Sequence, residues 1–414
     1  MAKIFLHTLV FAPDGVSTAI LVSQLMRELK KLGHEITVLT TNPHYNIDSI
    51  ARSKQPLTKR LFGLYYTSIY ENMRVIHVQM PRRDEDAKGR FRDYLIFHLW
   101  STLLGLFLVG RQDVVITPSP PLSIGVIGWF LAKVKGGKFI YNVQELYPAL
   151  TLQVGMLAED SHLYKIFLRL EKLVYTLADH ITVITPNFKT AVTETGIAEK
   201  KVSVIPNFIV LKSGLPLSDE STVHYDLREK FVILYAGNIG MTQSFDTIVE
   251  VIRSVQDEPN IHFLIVGDGV RRKMLEDQIN ALKLNNITLL PWQPLEEMTK
   301  IYQTAHLGLV PLMAGTARTT IPSKIYTIMA NEVSVLLSVD TDSDMVALVQ
   351  NARCGLAVPP DDATAMEAGI RYAYAHQAEF KTYGKNGRRY VEAHFSCQSV
   401  SAQYHQLIEQ LASR

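Results

Sequence analysis

Short runs of aliphatic and β-branched residues alternate along this chain with longer stretches in which apolar positions return every three or four residues. That alternation predicts parallel strands joined by crossover helices. In the first half the strands are expected at 3–7, 35–40, 73–79, 113–117, 138–142, 180–185 and 202–205. Between the first two, Val16, Ile20, Leu25, Leu29 and Leu32 share one helical face, and Gly33 can end that helix in the left-handed region. Residues 206–230 lose the periodicity and collect Pro, Gly, Ser and Asp, as a linker does. The pattern restarts at 231–237, 261–267, 286–290, 306–310, 334–338 and 355–358, and two helices near 379–394 and 399–413 close the chain. Two successive sheets of this kind describe a two-domain α/β protein, and 414 residues exceed what one core usually holds.

Composition changes this picture little. Apolar residues make up 47% and charged residues 20%, the balance of a folded globular protein. A net charge of +2 argues against a nucleic-acid partner. Cys354 and Cys397 stand far apart without metal-ligand spacing, which fits a reducing compartment and hence the cytoplasm. The opening MAKIFLHTLVF lacks the features of a secretory leader.

Two neighbouring segments stand out. Residues 52–92 hold ten Lys or Arg against four acids, the pattern of a solvated face or loop. Next to them, Tyr94 to Gly110 runs without a formal charge, short for a membrane span and expected as a buried core helix. The pair also fits peripheral contact with an anionic surface, such as the inner face of the cell membrane.

Ligands of open parallel sheets sit beyond the carboxyl ends of the strands, so the chemistry is sought in those loops. Gly15 follows the first strand and precedes a helix, where free N–H groups favour an anion. Asn238, Gly240 and Gln243 mark a second turn, and Gly267 and Gly269 a third; each suits a nucleotide passing close to backbone or a plain structural turn. The run from Arg318 to Ala330 says more. Pro322 and Ser323 start a helix and place Lys324 in its first turn, where the macrodipole disfavours a cation. An anion shared with Arg318 would explain that placement, and a departing nucleotide diphosphate is such an anion. Asp340, Asp342 and Asp344 lack the spacing of a calcium loop and read as a helix start. Glu145, beyond the strand at 138–142, could serve an acceptor hydroxyl or a positively charged sugar, or cap a helix.

Taken in order, FAPDGVSTA, GHEITVLT, VQELYP, ADHITVIT, VIPNF, YAGNIG, VGDG, IPSKIYTIMA, CGLAVPP and GKNGRRYVEAHFS resemble the family 4 glycosyltransferases of the GT-B fold, especially fucosaminyltransferase-like members of bacterial O-antigen and capsule assembly. The resemblance implies two Rossmann-like domains facing each other across a cleft. Residues 1–210 would take the acceptor, 211–385 a nucleotide sugar, and 386–414 would pack back towards the first domain. It further implies a UDP-linked donor, hexosyl or N-acetylhexosaminyl transfer with retention, no metal or other cofactor, and a glycan or lipid-linked acceptor. Donor contacts would come from Gly15, Asn238, Gly240, Gln243, Gly267, Gly269, Arg318, Thr320, Ser323, Lys324 and Thr327, with Glu145, Arg318 and Lys324 carrying the reaction. The chain departs from the family where two glutamates usually stand, here Thr319 and Thr327, and where an Arg and a Lys usually stand, here Asn238 and Gln243. The departures at Thr319 and Thr327 keep a catalytically reduced binding scaffold open, and the shared two-domain architecture keeps a sugar-nucleotide epimerase open.

Overall fold

The computed structural model describes residues 1–44, 49–80, 87–153, 155–209, 227, 229–318 and 322–413. The chain divides into two compact units. The first comprises Met1–Pro148, Leu157–Phe208 and Cys397–Arg414, the second Ala149–Met156 and Ile209–Ser396.

In the first unit the strands are β1 (Lys3–His7), β2 (Glu35–Thr41), β3 (Thr58–Arg60), β4 (Tyr65–Tyr70), β5 (Met73–Val78), β6 (Val114–Pro118), β7 (Lys138–Val143), β8 (His180–Val183) and β9 (Val202–Val204). They form one sheet in the order β3-β4-β5-β2-β1-β6-β7-β8-β9. Its helices are α1 (Ser17–Lys31), α2 (Ser49–Lys54), α3 (Ala87–Leu108) and α4 (Ser123–Lys135), then, after α5 (Ala149–Gln153) of the second unit, α6 (His162–Leu177) and α7 (Pro186–Glu194). The central strands are parallel and sheathed in apolar side chains, and β1 leaves Ile4, Phe5 and Leu6 without solvent exposure.

Three expectations for this unit are corrected. The stretch expected as a solvated face or loop is exposed along β3 but is not loop throughout, since it contains β3 and β4, which run antiparallel and pair onto β5. The β4–β5 turn puts Glu71 and Asn72 both at positive φ, the twist that a two-residue hairpin needs. In α1 the buried side is Ala19, Val22, Leu25, Met26 and Leu29, whereas Ile20 is exposed because the helical turn carries it well away from Leu25, and Leu32 because it lies past the last turn. The uncharged segment at 94–110 does lie in a helix, α3, but one side of it is open to solvent at Leu95, Leu99 and Phe107. Among the described residues no helix is long and apolar enough to cross a membrane. Arg82 and Arg83 of the basic stretch fall outside the described residues, as does most of the expected linker.

The second unit continues with β10 (Phe231–Ala236), α8 (Phe245–Ser254), β11 (Ile261–Val266), α9 (Arg272–Ala281), β12 (Ile287–Leu290), α10 (Leu295–Thr304), β13 (Leu307–Pro311), α11 (Lys324–Ala330), β14 (Ser334–Ser338), α12 (Asp344–Ala352), β15 (Gly355–Val358), α13 (Ala363–Ala375) and α14 (Gln377–His394). Its sheet is parallel, in the order β12-β11-β10-β13-β14-β15. Phe231, Ile233 and Tyr235 of β10 face one apolar layer with α8 and α13, while Val232 and Leu234 face the other with α11 and α12. Both faces are covered, which is why the strand reads as an unbroken apolar run. Strand order reverses between β10 and β13, and the carboxyl ends of that pair are the switch point at which such sheets bind ligands.

Helix α14 packs on α11 and β14, so it belongs to the second unit. The return to the first unit therefore begins at Cys397, with α15 (Cys397–Ala412), and not at 386. There α15 lies along α1, and its Tyr404 hydroxyl accepts a hydrogen bond from Asn142 Nδ2 at 3.0 Å.

Candidate functional site

In the second unit the carboxyl end of β10 runs into Gly237, whose φ of 142° lies where glycine is favoured. Lys324, the first residue of α11, reaches this point. Its Nζ stands 3.8 Å from the centroid of the Tyr235 ring, and a Cβ placed on Gly237 would lie 3.1 Å from it. The side chain as a whole is half-buried, yet the Nζ itself is sealed from solvent and has no hydrogen-bond partner among the described residues. Burial lowers the Lys324 pKa from 10.5 to about 7. A buried donor without a partner is rare and calls for an explanation such as a bound acceptor.

Around this amine the loops are tightly fixed. Ile239 N donates to Asp268 O at 2.8 Å, and Arg271 N donates to Ile239 O at 3.0 Å, zipping the turn after β10 to the turn after β11. Gly267 and Gly269 stand where any Cβ would strike the backbone of Gly237 and Ile239. The Gly267 amide donates to Leu290 O, the Gly269 amide to Asp268 Oδ1 and the Gly240 amide to Gln243 Oε1. The glycines at 267 and 269 therefore bring two loops together, and the amides of Gly240, Gly267 and Gly269 make internal bonds here. Gln243 is buried and its Nε2 donates to Thr242 Oγ1, while Asn238 is exposed and its carbonyl accepts from the Tyr235 hydroxyl. Arg272, standing where a dinucleotide fingerprint would have its third glycine, donates to the carbonyls of Gly267 and Leu290.

The segment ahead of α11 is held by carboxylates. Gly315 N donates to Asp340 Oδ1 at 2.8 Å and Ala314 N to Asp361 Oδ2 at 2.9 Å. Arg318 is exposed and pairs with Asp342 at 2.9 Å, so its guanidinium is engaged on the surface rather than standing open for an anion. Asp344 lies in the first turn of α12, where Ser343 accepts from Met345 N. Ser323 occupies the N-cap position of α11 and Thr327 is half-buried within that helix. Thr319 and Thr320 fall outside the described residues.

The first unit presents its own polar loop beyond β7. Asn142 Nδ2 donates to Thr182 Oγ1, Gln144 N to Ser119 Oγ, and Asn207 Nδ2 to Gln144 Oε1, which fixes the backbone leading to Glu145. Burial raises the Glu145 pKa above the ordinary carboxylate value. Gly15 is exposed just ahead of α1, a helix without a side-chain cap. Among the described residues, His34, His405 and Glu409 could place ligand atoms within 4.8 Å of one another. Ala2 N donates to His34 Nδ1, leaving the Nε2 proton to bond His405 Nδ1 at 2.8 Å, so this cluster ties α15 to the sheet edge. A cavity of about 330 Å³ opens beside Lys3, Glu35, Arg74 and Arg111, at the amino ends of β1 and β2 and so at the wrong edge for a ligand.

No sequence pattern announced Tyr235 as the floor beneath Lys324. The aromatic sat in an apolar strand run, and the contact joins residues on different elements.

The sequence matches the family Glycosyl transferases group 1 over residues 221–390 and the Glycosyl transferase 4-like domain over residues 15–207. It is 22% identical over 389 residues to the protein named as the colanic acid biosynthesis glycosyl transferase WcaI of Escherichia coli K12, covering 90% of this chain and 92% of that one. Over 264 residues it is 26% identical to the glycosyltransferase WbjE of Pseudomonas aeruginosa, covering 62% and 64%. Among solved structures, sucrose-phosphate synthase from Thermosynechococcus elongatus superposes with a TM-score of 0.78 at 20% identity, over 99% of both chains. Anabaena HepE in complex with UDP-glucose does so at 0.70 and 13%, over 99% of this chain and 100% of that one. The chain belongs to the family 4-like glycosyltransferases of the GT-B fold.

Proposed function

We propose that this glycosyltransferase moves a sugar from a UDP-linked donor to a glycan or lipid-linked acceptor in bacterial surface-polysaccharide assembly, with retention and without a metal. The observation that carries the donor half is the partnerless Lys324 Nζ at the switch point of the second sheet. A diphosphate oxygen meeting that amine would supply its missing acceptor and neutralise the charge that grows on the leaving group. Arg318 would join by exchanging Asp342 for a phosphate. The UDP and UDP-glucose in the HepE structures support the choice of nucleotide, and the name of WcaI supports a polysaccharide setting. Glu145, its proton affinity raised by burial, would serve the acceptor hydroxyl or the cationic sugar.

Arg318→Ala with Lys324→Ala is expected to abolish most UDP release from a panel of UDP-sugars, with Lys324→Ala alone giving the larger share. Unchanged turnover in the double variant overturns the donor assignment. Failure of the native protein to bind UDP in a calorimetric titration would instead favour the scaffold reading, which the threonines at 319 and 327 keep in view.

A further inference from the structure

Helices α3, α4 and α6 lie side by side on the first unit, and close approaches make them one layer. A Cβ on Gly105 of α3 would come within 2.9 Å of Leu131 on α4, and His98 bonds Ser123 across the same seam at 2.8 Å. Gly125 of α4 sits against Val174 of α6 so closely that a Cβ there would collide with it. The outward side of this layer is unusually apolar. Leu99 is 60% exposed and Phe107 81% on α3, Val134 52% on α4, and Ile166 54% on α6. Leu95, Phe130, Leu163 and Leu173 extend the same surface. Soluble monomers rarely leave so many large apolar side chains open on adjoining helices without a use for them.

Charge distinguishes the occupant. Helix α6 buries Tyr164, Val174 and Tyr175 and turns Lys165, Arg169 and Lys172 outward between the exposed Leu and Ile side chains. Among the described residues none of these three cations pairs with a carboxylate, and the one acid of the helix, Glu171, bonds the Tyr175 hydroxyl at 3.0 Å instead. Burial raises the Glu171 pKa to about 7, which further lowers the negative charge on this helix. An interface between two copies of this face would set the cations against one another, whereas anionic headgroups neutralise them while the leucines enter the acyl boundary. Long Lys and Arg stems suit this arrangement because they lie along apolar surface with the charge in the headgroup layer.

We propose that the outward face of α3, α4 and α6 is a monotopic docking surface for an anionic lipid bilayer. The surface lies on described helices and does not depend on the basic residues near 82 and 83. It stands apart from the donor assignment, because UDP binding by the lipid-free protein reports the Lys324 site alone.

Flotation of the full chain with phosphatidylglycerol–phosphatidylcholine vesicles, against phosphatidylcholine vesicles alone, tests it. The protein is expected to float with the anionic vesicles and to be released by high salt. Lys165→Glu, Arg169→Glu and Lys172→Glu together should lower vesicle partition by roughly a hundredfold. Leu99→Gln with Phe107→Gln should weaken it even at low salt, and both variants should retain native UDP affinity as proof of folding. Three results would overturn the proposal: no flotation at low salt, flotation indifferent to both variants, or a concentration-dependent dimer that protects this face from hydrogen exchange.

Discussion

Lys324 rests its ammonium on the ring of Tyr235, with 3.8 Å between Nζ and the centroid and no hydrogen-bond partner among the described residues. A desolvated cation–π contact contributes about 2 kcal/mol. Removing an ammonium from water costs several kcal/mol, so the ring does not offset the burial. The lowered pKa expresses the same imbalance. An arrangement that weakens the free protein at this point is best understood as one completed by an anion.

Replacing Lys324 by Met should therefore separate stability from function. The thioether fills the space over Tyr235 without a buried charge, and thermal stability is expected to rise by about 1–3 kcal/mol. UDP affinity should fall roughly 10- to 100-fold, the range of a lost charge-assisted hydrogen bond. Paired melting curves and calorimetric titrations check both. A variant that melts lower and binds UDP normally would mark the lysine as structural.

The same amine predicts how UDP binding depends on pH. In the free protein its pKa is lowered to about 7, and a bound diphosphate would draw it back towards 10.5. Below pH 7 the amine is charged in both states and adds no dependence. As pH rises above 7 the free protein loses the proton that the complex keeps, and the dissociation constant should weaken by up to about tenfold per pH unit. Titrations at pH 8 in buffers of different ionisation enthalpy should show proton uptake on binding. Affinity that is flat from pH 7 to 9 would rule out Lys324 as the group that meets the phosphate.

How far this could be read from the chain differs between strand and site. Strands such as Lys3–His7 and Ser334–Ser338 are legible to the residue, because a strand covered on both faces needs an unbroken apolar run. The β3–β4 ribbon was hidden because its residues are largely polar or exposed, and the turn from β4 into β5 is Glu71-Asn72 rather than a glycine pair. Lys324 stood out through a local rule, a cation in a helix's first turn. Its partnerless burial did not, since Tyr235 and Gly237 reach it only when β10 and α11 are folded together. The close approaches at Gly267 and Gly269 were hidden for a related reason. A glycine admits close backbone approach, and only the fold shows that the approaching backbone is the neighbouring loop.

Buried histidines set the acid limit of the first unit. His77 is fully buried, donates from Nδ1 to Thr41 O at 3.0 Å and meets Ser68 Oγ with Nε2 at 2.7 Å. Desolvation lowers its pKa from 6.5 to about 4, and likewise lowers those of His7 to about 3 and His98 to about 4. Above pH 6.5 all three are neutral folded or unfolded, and their contribution is complete. Between pH 6.5 and about 4 the unfolded chain takes up protons that the folded unit refuses, so stability falls with pH by up to about 1.4 kcal/mol per pH unit for each histidine. Glu171 acts in the opposite sense, since its pKa is raised to about 7 and the folded state gains its proton first. Glu145 is raised in the same sense, but His34 and His180 are lowered like the three histidines, and the histidines leave a net loss towards acid. Denaturant unfolding of the full chain from pH 7 to 4.5 should show it, and His77→Gln, which keeps a hydrogen-bonding side chain but cannot charge, should flatten the slope by about one proton. A slope unaltered by that substitution would place the acid sensitivity in other groups.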